Sequence, residues 1–166
     1  RQMCIRDSIP RFAKLDVIAA MQPTHATSDM YWVEDRLGSE RVKYAYAWRS
    51  LLDSGARLAL GSDFPVEQVN PMLGVHAAVT RQDTEGWPPG GWYPAERLTR
   101  EEAVRGFTLD AAYSGFMEKS VGSLESGKRA DFIVLDQNIF EIEASKIASI
   151  KVLQTWLDGE LVYSYP

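Results

Sequence analysis

Apolar residues along this chain fall into two regimes. Up to about residue 117, short unbroken apolar runs alternate with stretches of helical spacing; from about residue 118 the pattern becomes that of strands and turns. Ser8-Ile9-Pro10 opens the first regime as an N-cap followed by proline in the first turn, and Ile9, Phe12 and Leu15 share one face of a short helix. Val17 to Met21 is apolar without alternation, as in a strand buried on both faces, and it stops at Gln22-Pro23-Thr24-His25-Ala26-Thr27-Ser28-Asp29. Tyr31, Trp32 and a loop around Gly38 lead into a helix over about 40–54, striped by Val42, Ala45, Trp48, Leu51 and Leu52, with Gly55 as its C-terminal cap. Arg57 to Leu60 is a second buried strand. It runs into Gly61-Ser62-Asp63-Phe64-Pro65, and Asn70-Pro71 then starts a helix facing Met72, Val75 and Val79 inward. His76 lies beside that stripe and reads as a partly buried packing or surface residue rather than a ligand.

Residues 83–97 are dense in Gly, Pro and Trp, a loop read here as a partial lid. Thr99-Arg100-Glu101-Glu102 is a capping box opening a helix that carries Val104, Phe107 and Ala111 and ends near Gly115. Beyond it come a strand over Val121 to Leu124, a turn at Glu125-Ser126-Gly127-Lys128, and a strand over Ala130 to Leu135. Lys151 to Leu157 pairs with Glu160 to Tyr163 across Asp158-Gly159, the strongest short hairpin signal in the chain.

Strands separated by helices predict an α/β fold with a parallel sheet, and in such sheets chemistry collects at the carboxyl ends of the strands. Asp63 and His25 both stand just past a strand end. On local pattern alone, Gly-Ser-Asp before Phe-Pro is first of all turn chemistry, because Asp accepts backbone hydrogen bonds two residues on and Pro stops the strand. The rest of the chain makes Asp63 a candidate.

Composition narrows the classes. The 166 residues are 45% hydrophobic and 25% charged, ordinary for a globular protein, and the net charge of −5 with mixed signs leaves no basic stripe for nucleic acid. No apolar run approaches the roughly 20 residues of a membrane span, and the N-terminus lacks the apolar core of a signal peptide. One cysteine, Cys4, excludes an internal disulfide and a cysteine zinc cluster, which agrees with a reducing, cytoplasmic setting. There is no phosphate loop and no nucleophile elbow, so phosphoryl transfer through Asp63 has no supporting motif.

Three segments together resemble the C-terminal portion of a metal-dependent amidohydrolase, in the branch of D-aminoacylase and N-substituted formamide deformylase. They are Met21-Gln22-Pro23-Thr24-His25, Leu60-Gly61-Ser62-Asp63-Phe64-Pro65, and Val121 through Asp136 with its Gly122, Ser123, Gly127, Ala130 and Asp131. The resemblance implies a TIM-like (β/α)₈ barrel with an attached β-sandwich. Residues 9–117 would be the last two β/α units of the barrel, residues 118–166 a sandwich segment, and residues 1–8 a foreign segment. Val17 to Met21 would be the seventh barrel strand and Arg57 to Leu60 the eighth. It further implies a divalent metal, with zinc the expected ion, and gives Asp63 two tasks: binding that metal and moving the proton. His25, on the seventh strand, would contact substrate rather than metal, since the family's metal histidines lie on the first, fifth and sixth strands.

The family also needs a His-x-His, a bridging carboxylated lysine or its substitute, and two further histidines, whereas this chain holds two histidines in all. The expectation is therefore a piece of a larger hydrolase, inactive alone. The parent would cleave a carbon–nitrogen bond other than a peptide bond in a small amide, and a homo-oligomer is compatible with it. The competing reading is a non-catalytic α/β binding or assembly module.

Overall fold

The computed structural model describes residues 6–166; Cys4 and most of the segment 1–8 set apart above lie outside the described residues. The first apolar run forms β1, Ala19–Met21, and the second forms β2, Leu58–Leu60. They pair in parallel, Ala19 opposite Leu58 and Met21 opposite Leu60, and the ladder continues through Gly61 N to Met21 O at 3.2 Å. All three β2 residues are buried, as an unbroken apolar run requires when both faces are covered.

Helices cover this pair. α1 (Ile9–Lys14) precedes β1, and α2 (Pro23–Asp29), α3 (Val33–Leu37) and α4 (Trp48–Asp53) lie between the strands. α5 (Pro71–Thr80), α6 (Arg100–Phe107) and α7 (Leu109–Ser114) follow β2. The core gathers Trp48, Leu51, Leu58, Val75, Ala78 and Ala103 between them. Gly106 lets α6 lie against the strand: a Cβ there would stand 2.7 Å from Leu60 Cγ. Two of the three N-cap signals are realised, with Asn70 Oδ1 accepting from Met72 N at 3.0 Å and the Thr99–Glu102 box closed in both directions; Ser8 precedes α1 but its side chain makes no capping hydrogen bond.

Three elements differ from expectation, besides the helix opened at Thr99, which breaks at Thr108 into α6 and α7 rather than running on to Gly115. The helix over 40–54 is broken into a 3₁₀ turn, Val42–Tyr44, and α4, because Tyr46 takes a positive φ of 53°. That conformation is unfavourable for a bulky side chain, and it is held from both ends. The buried Tyr46 hydroxyl donates to Asp29 Oδ2, and its carbonyl accepts from Arg81 Nη1 at 2.9 Å. Second, residues 23–29, where the first strand stops and no element was expected, are helical; Pro23 sits at the first helical position, where its missing N–H is no loss. Third, Val121 to Leu124 is not a strand: Gly122, at φ 91°, packs so tightly against α7 that a Cβ would lie 2.7 Å from Ala112 Cβ.

The last third forms an antiparallel sheet in the order β3 (Phe132–Leu135), β4 (Val152–Leu157), β5 (Glu160–Ser164). Asp158 and Gly159 both have positive φ, 53° and 81°, as the two central residues of a type I′ turn must. Phe132 stacks on Trp156 with centroids 5.6 Å apart. Between β3 and β4 a 3₁₀ segment, Ala144–Ser149, docks under α5 through the fully buried Ile147. Among the described residues no helix is long and apolar enough to cross a membrane.

The 83–97 loop is pinned. Asp83 Oδ1 accepts from Glu85 N at 2.9 Å and Trp87 N at 2.8 Å, and Arg97 Nε donates to Thr80 O at 3.0 Å. Arg81 Nε donates to Trp92 O at 2.5 Å, which turns that aromatic inward while Trp87 stays half exposed.

Candidate active site

Asp63 and His25, about forty residues apart in sequence, meet where β1 and β2 end. His25 lies in the first turn of α2, immediately after β1. Asp63 stands three residues past β2 in left-handed backbone, φ 62°, and its carbonyl accepts from Val66 N at 2.8 Å and Glu67 N at 3.3 Å. Asp tolerates this conformation better than most side chains, so the turn and the carboxylate share one residue. His25 Nε2 is 3.2 Å from Asp63 Oδ2. The contact is a close approach rather than an aligned hydrogen bond, and it leaves the buried Nε2 without a hydrogen-bond partner. The Asp63 carboxylate stays open, its side chain 42% exposed.

The open Asp63 carboxylate could supply one ligand to a metal, with the His25 imidazole beside it. A catalytic metal normally takes about three protein ligands. Among the described residues no group of three or more His, Cys, Asp or Glu side chains could hold an ion. The donors present fit the group in kind but not in number.

Support for His25 comes from a residue the sequence reading passed over. Asp29, at the C-terminal end of α2, is unfavourably placed with respect to the helix dipole and is compensated by the Tyr46 hydroxyl. Burial, then Asp29 itself, pushes the Tyr46 hydroxyl well above its usual pKa, so Tyr46 remains a donor. The positive φ at Tyr46 and the helix break are what bring that hydroxyl to α2. No local sequence signal announces either.

His76 is buried, as a packing residue should be, and burial lowers its pKa although Asp83 pulls the other way. In the unfolded chain it would titrate near 6.5. Between the folded and unfolded values the unfolded state binds more protons, so stability is fully present above 6.5 and falls as pH drops through that window. The His76 Cε1–H resonance is expected to titrate with a midpoint below 6.5, and thermal stability to fall between pH 7 and 5. A midpoint at or above 6.5 would contradict the burial assigned to it.

Residues 2–163 match the model described as the amidohydrolase family. The chain belongs to the amidohydrolase family. It is 41% identical over 157 residues to Protein LONG AFTER FAR-RED 3 of Arabidopsis thaliana, covering 94% of this chain and 26% of that protein. To N-substituted formamide deformylase of Arthrobacter pascens it is 36% identical over 115 residues, 69% of this chain and 21% of that protein. Among solved structures, an uncharacterized metal-dependent hydrolase from Pyrococcus horikoshii OT3 superposes with a TM-score of 0.74 at 28% identity, covering 86% of this chain and 29% of that one. The α/β architecture is thus an amidohydrolase architecture, and the chain spans about a quarter of the length of these relatives.

Proposed function

We propose that this chain is the C-terminal part of a metal-dependent amidohydrolase that cleaves a carbon–nitrogen bond other than a peptide bond in a small amide. β1 and β2 are read as the seventh and eighth barrel strands, and β3 to β5 as a segment of the attached sandwich. The observation that carries the reading is the position of Asp63: an open carboxylate on a rigid turn at the end of β2, 3.2 Å from an unpartnered histidine nitrogen.

An amide is a poor electrophile with a poor leaving group. A bound divalent metal, zinc on this reading, polarises the carbonyl and acidifies water, and Asp63 is the residue of this chain that would hold it. Asp63 takes the proton of the attacking water as the oxygen–carbon bond forms. It then delivers that proton to the nitrogen as the carbon–nitrogen bond breaks, which releases a neutral amine. His25 flanks the carboxylate and contacts substrate. The Arthrobacter relative, an N-substituted formamide deformylase, supports this substrate class. The family match does not favour a non-catalytic module.

The full-length protein is expected to hydrolyse N-alkylformamides or related small amides, to lose that activity on exhaustive chelation, and to regain it with stoichiometric zinc. The 166-residue chain alone is expected to be inactive. Undiminished hydrolysis after verified metal removal would refute the metal; stoichiometric metal and turnover in the isolated chain would refute its being a fragment.

A further inference from the structure

His25 and Asp63 do not hold each other. Their approach at 3.2 Å is not an aligned hydrogen bond, so the separation of the two side chains is set by whatever fixes the helix that carries His25. α2 runs for only seven residues, about two turns, too short to be stable by itself in water. Its last turn holds no basic residue to complement the helix dipole and carries Asp29 instead. The placement of α2 is therefore a matter of tertiary contacts.

Pro23 and Ala26 bury one face of α2, and α5 lies against it. Burial of small apolar groups is non-directional and leaves the rotation of the helix about its own axis loosely set. Two side-chain hydrogen bonds define that rotation. Ser28 Oγ donates to Glu67 Oε1 at 2.8 Å, but this bond is exposed and competes with water. The Tyr46 hydroxyl donates to Asp29 Oδ2 in a partly buried setting, where a bond to a carboxylate is the stronger of the two. His25 and Asp29 are four residues apart and so stand one turn apart on the same face of α2. Holding Asp29 aims His25.

The donor is itself braced. Tyr46 is 2% exposed and in left-handed backbone at φ 53°, with its ring against Trp92 at a centroid distance of 5.9 Å. Its carbonyl accepts from Arg81 Nη1 at 2.9 Å, and Arg81 Nε donates to the Trp92 carbonyl, so one buried guanidinium ties Tyr46 to the 83–97 loop. Left-handed backbone at a bulky residue costs stability, and such strain gathers where a site needs a side chain aimed. We propose that Tyr46 is a positioning residue: through Asp29 it sets the rotation of α2, and so the placement of the His25 imidazole beside Asp63, with Arg81 and Trp92 as its brace. The consequence for substrate binding rests on the role given to His25 in the hydrolase reading; the aim of the imidazole does not.

The test compares the full-length protein with its Tyr46→Phe, Asp29→Ala and Asp29→Asn variants by two readouts. The first needs no turnover: histidines are carbethoxylated with diethyl pyrocarbonate and the rate at each is followed by peptide mass spectrometry. The second is steady-state hydrolysis of an N-alkylformamide. Tyr46→Phe keeps the ring and the backbone bond to Arg81 and removes only the hydroxyl. Because His25 Nε2 is buried in the parent, this variant is expected to speed His25 modification about tenfold and to raise KM by a similar factor, with kcat within about twofold. His76, 3% exposed on α5, is the internal control and should stay protected, since a generally loosened fold would uncover both histidines. Asp29→Ala should reproduce the Tyr46→Phe result and decides the matter if that variant misfolds; Asp29→Asn, which keeps a carbonyl acceptor, should recover most of the loss. Unchanged His25 modification in Tyr46→Phe, equal uncovering of His76, or an Asp29→Asn variant as impaired as Asp29→Ala would overturn the proposal. Faster His25 modification in a protein that hydrolyses no amide would keep the strut and remove the hydrolase; amide hydrolysis indifferent to Tyr46→Phe would do the reverse.

Discussion

Asp63→Asn in the full-length protein is expected to lower kcat/KM for amide hydrolysis by about 1,000-fold, within the range seen when a positioned proton-transfer group is lost. Asparagine is the informative substitute. It has the shape of aspartate and tolerates left-handed backbone, so the φ of 62° at this position costs little more than it does now. The turn is also held through the backbone carbonyl, which accepts from Val66 and Glu67 whatever the side chain. What disappears is the negative charge that binds metal and the basic oxygen that takes the proton. Alanine would mix this loss with backbone strain. The melting temperature should therefore stay within a few degrees of the parent while turnover collapses, and both can be read on one preparation by calorimetry and amine release. Retained turnover would remove Asp63 from the mechanism.

The features legible in the sequence were those encoded locally. The Asp158-Gly159 hairpin, the Thr99 capping box and the Asn70-Pro71 helix start each need a few adjacent residues and no distant partner, and all three form. Asp63 and His25 were legible as strand-end residues because an unbroken apolar run stands just before each, although only β2 is buried on both faces as that pattern predicts; in β1 Ala20 is exposed. Their contact at 3.2 Å is a property of the parallel pairing of β1 with β2, which brings two separate strand ends side by side. The break at Tyr46 was hidden, since the apolar stripe from Val42 to Leu52 keeps helical spacing straight through it. Only Asp29 on one side and Arg81 on the other make the strained backbone worthwhile, and both are remote in sequence.

Trp48→Ala is expected to be the most destabilising single change in this part of the protein, by about 4 kcal/mol, as for other fully buried tryptophans truncated to alanine. Trp48 is 0% exposed at the start of α4 and belongs to the central core cluster. Its indole N–H makes no hydrogen bond, so the loss is one of packing and dispersion, offset by only a few tenths of a kcal/mol from the better helix propensity of alanine. A second loss is electrostatic. The Arg81 guanidinium, itself 0% exposed, stands 4.4 Å from the Trp48 ring and 5.0 Å from the Trp92 ring, and burial pulls its pKa down to about 10. Removing one ring takes away a favourable cation–π contact worth about 1 kcal/mol and opens the guanidinium to water, which repays part of its desolvation. The packing loss is the larger effect, so the balance remains strongly destabilising. At roughly 2–4 °C per kcal/mol for a unit of this size, the melting temperature should fall by about 8–16 °C, while Trp48→Phe, which keeps a ring over Arg81, should lose less than half as much. A fall of under 2 °C for the alanine variant would show that Trp48 is not the keystone between α4 and the pinned 83–97 loop.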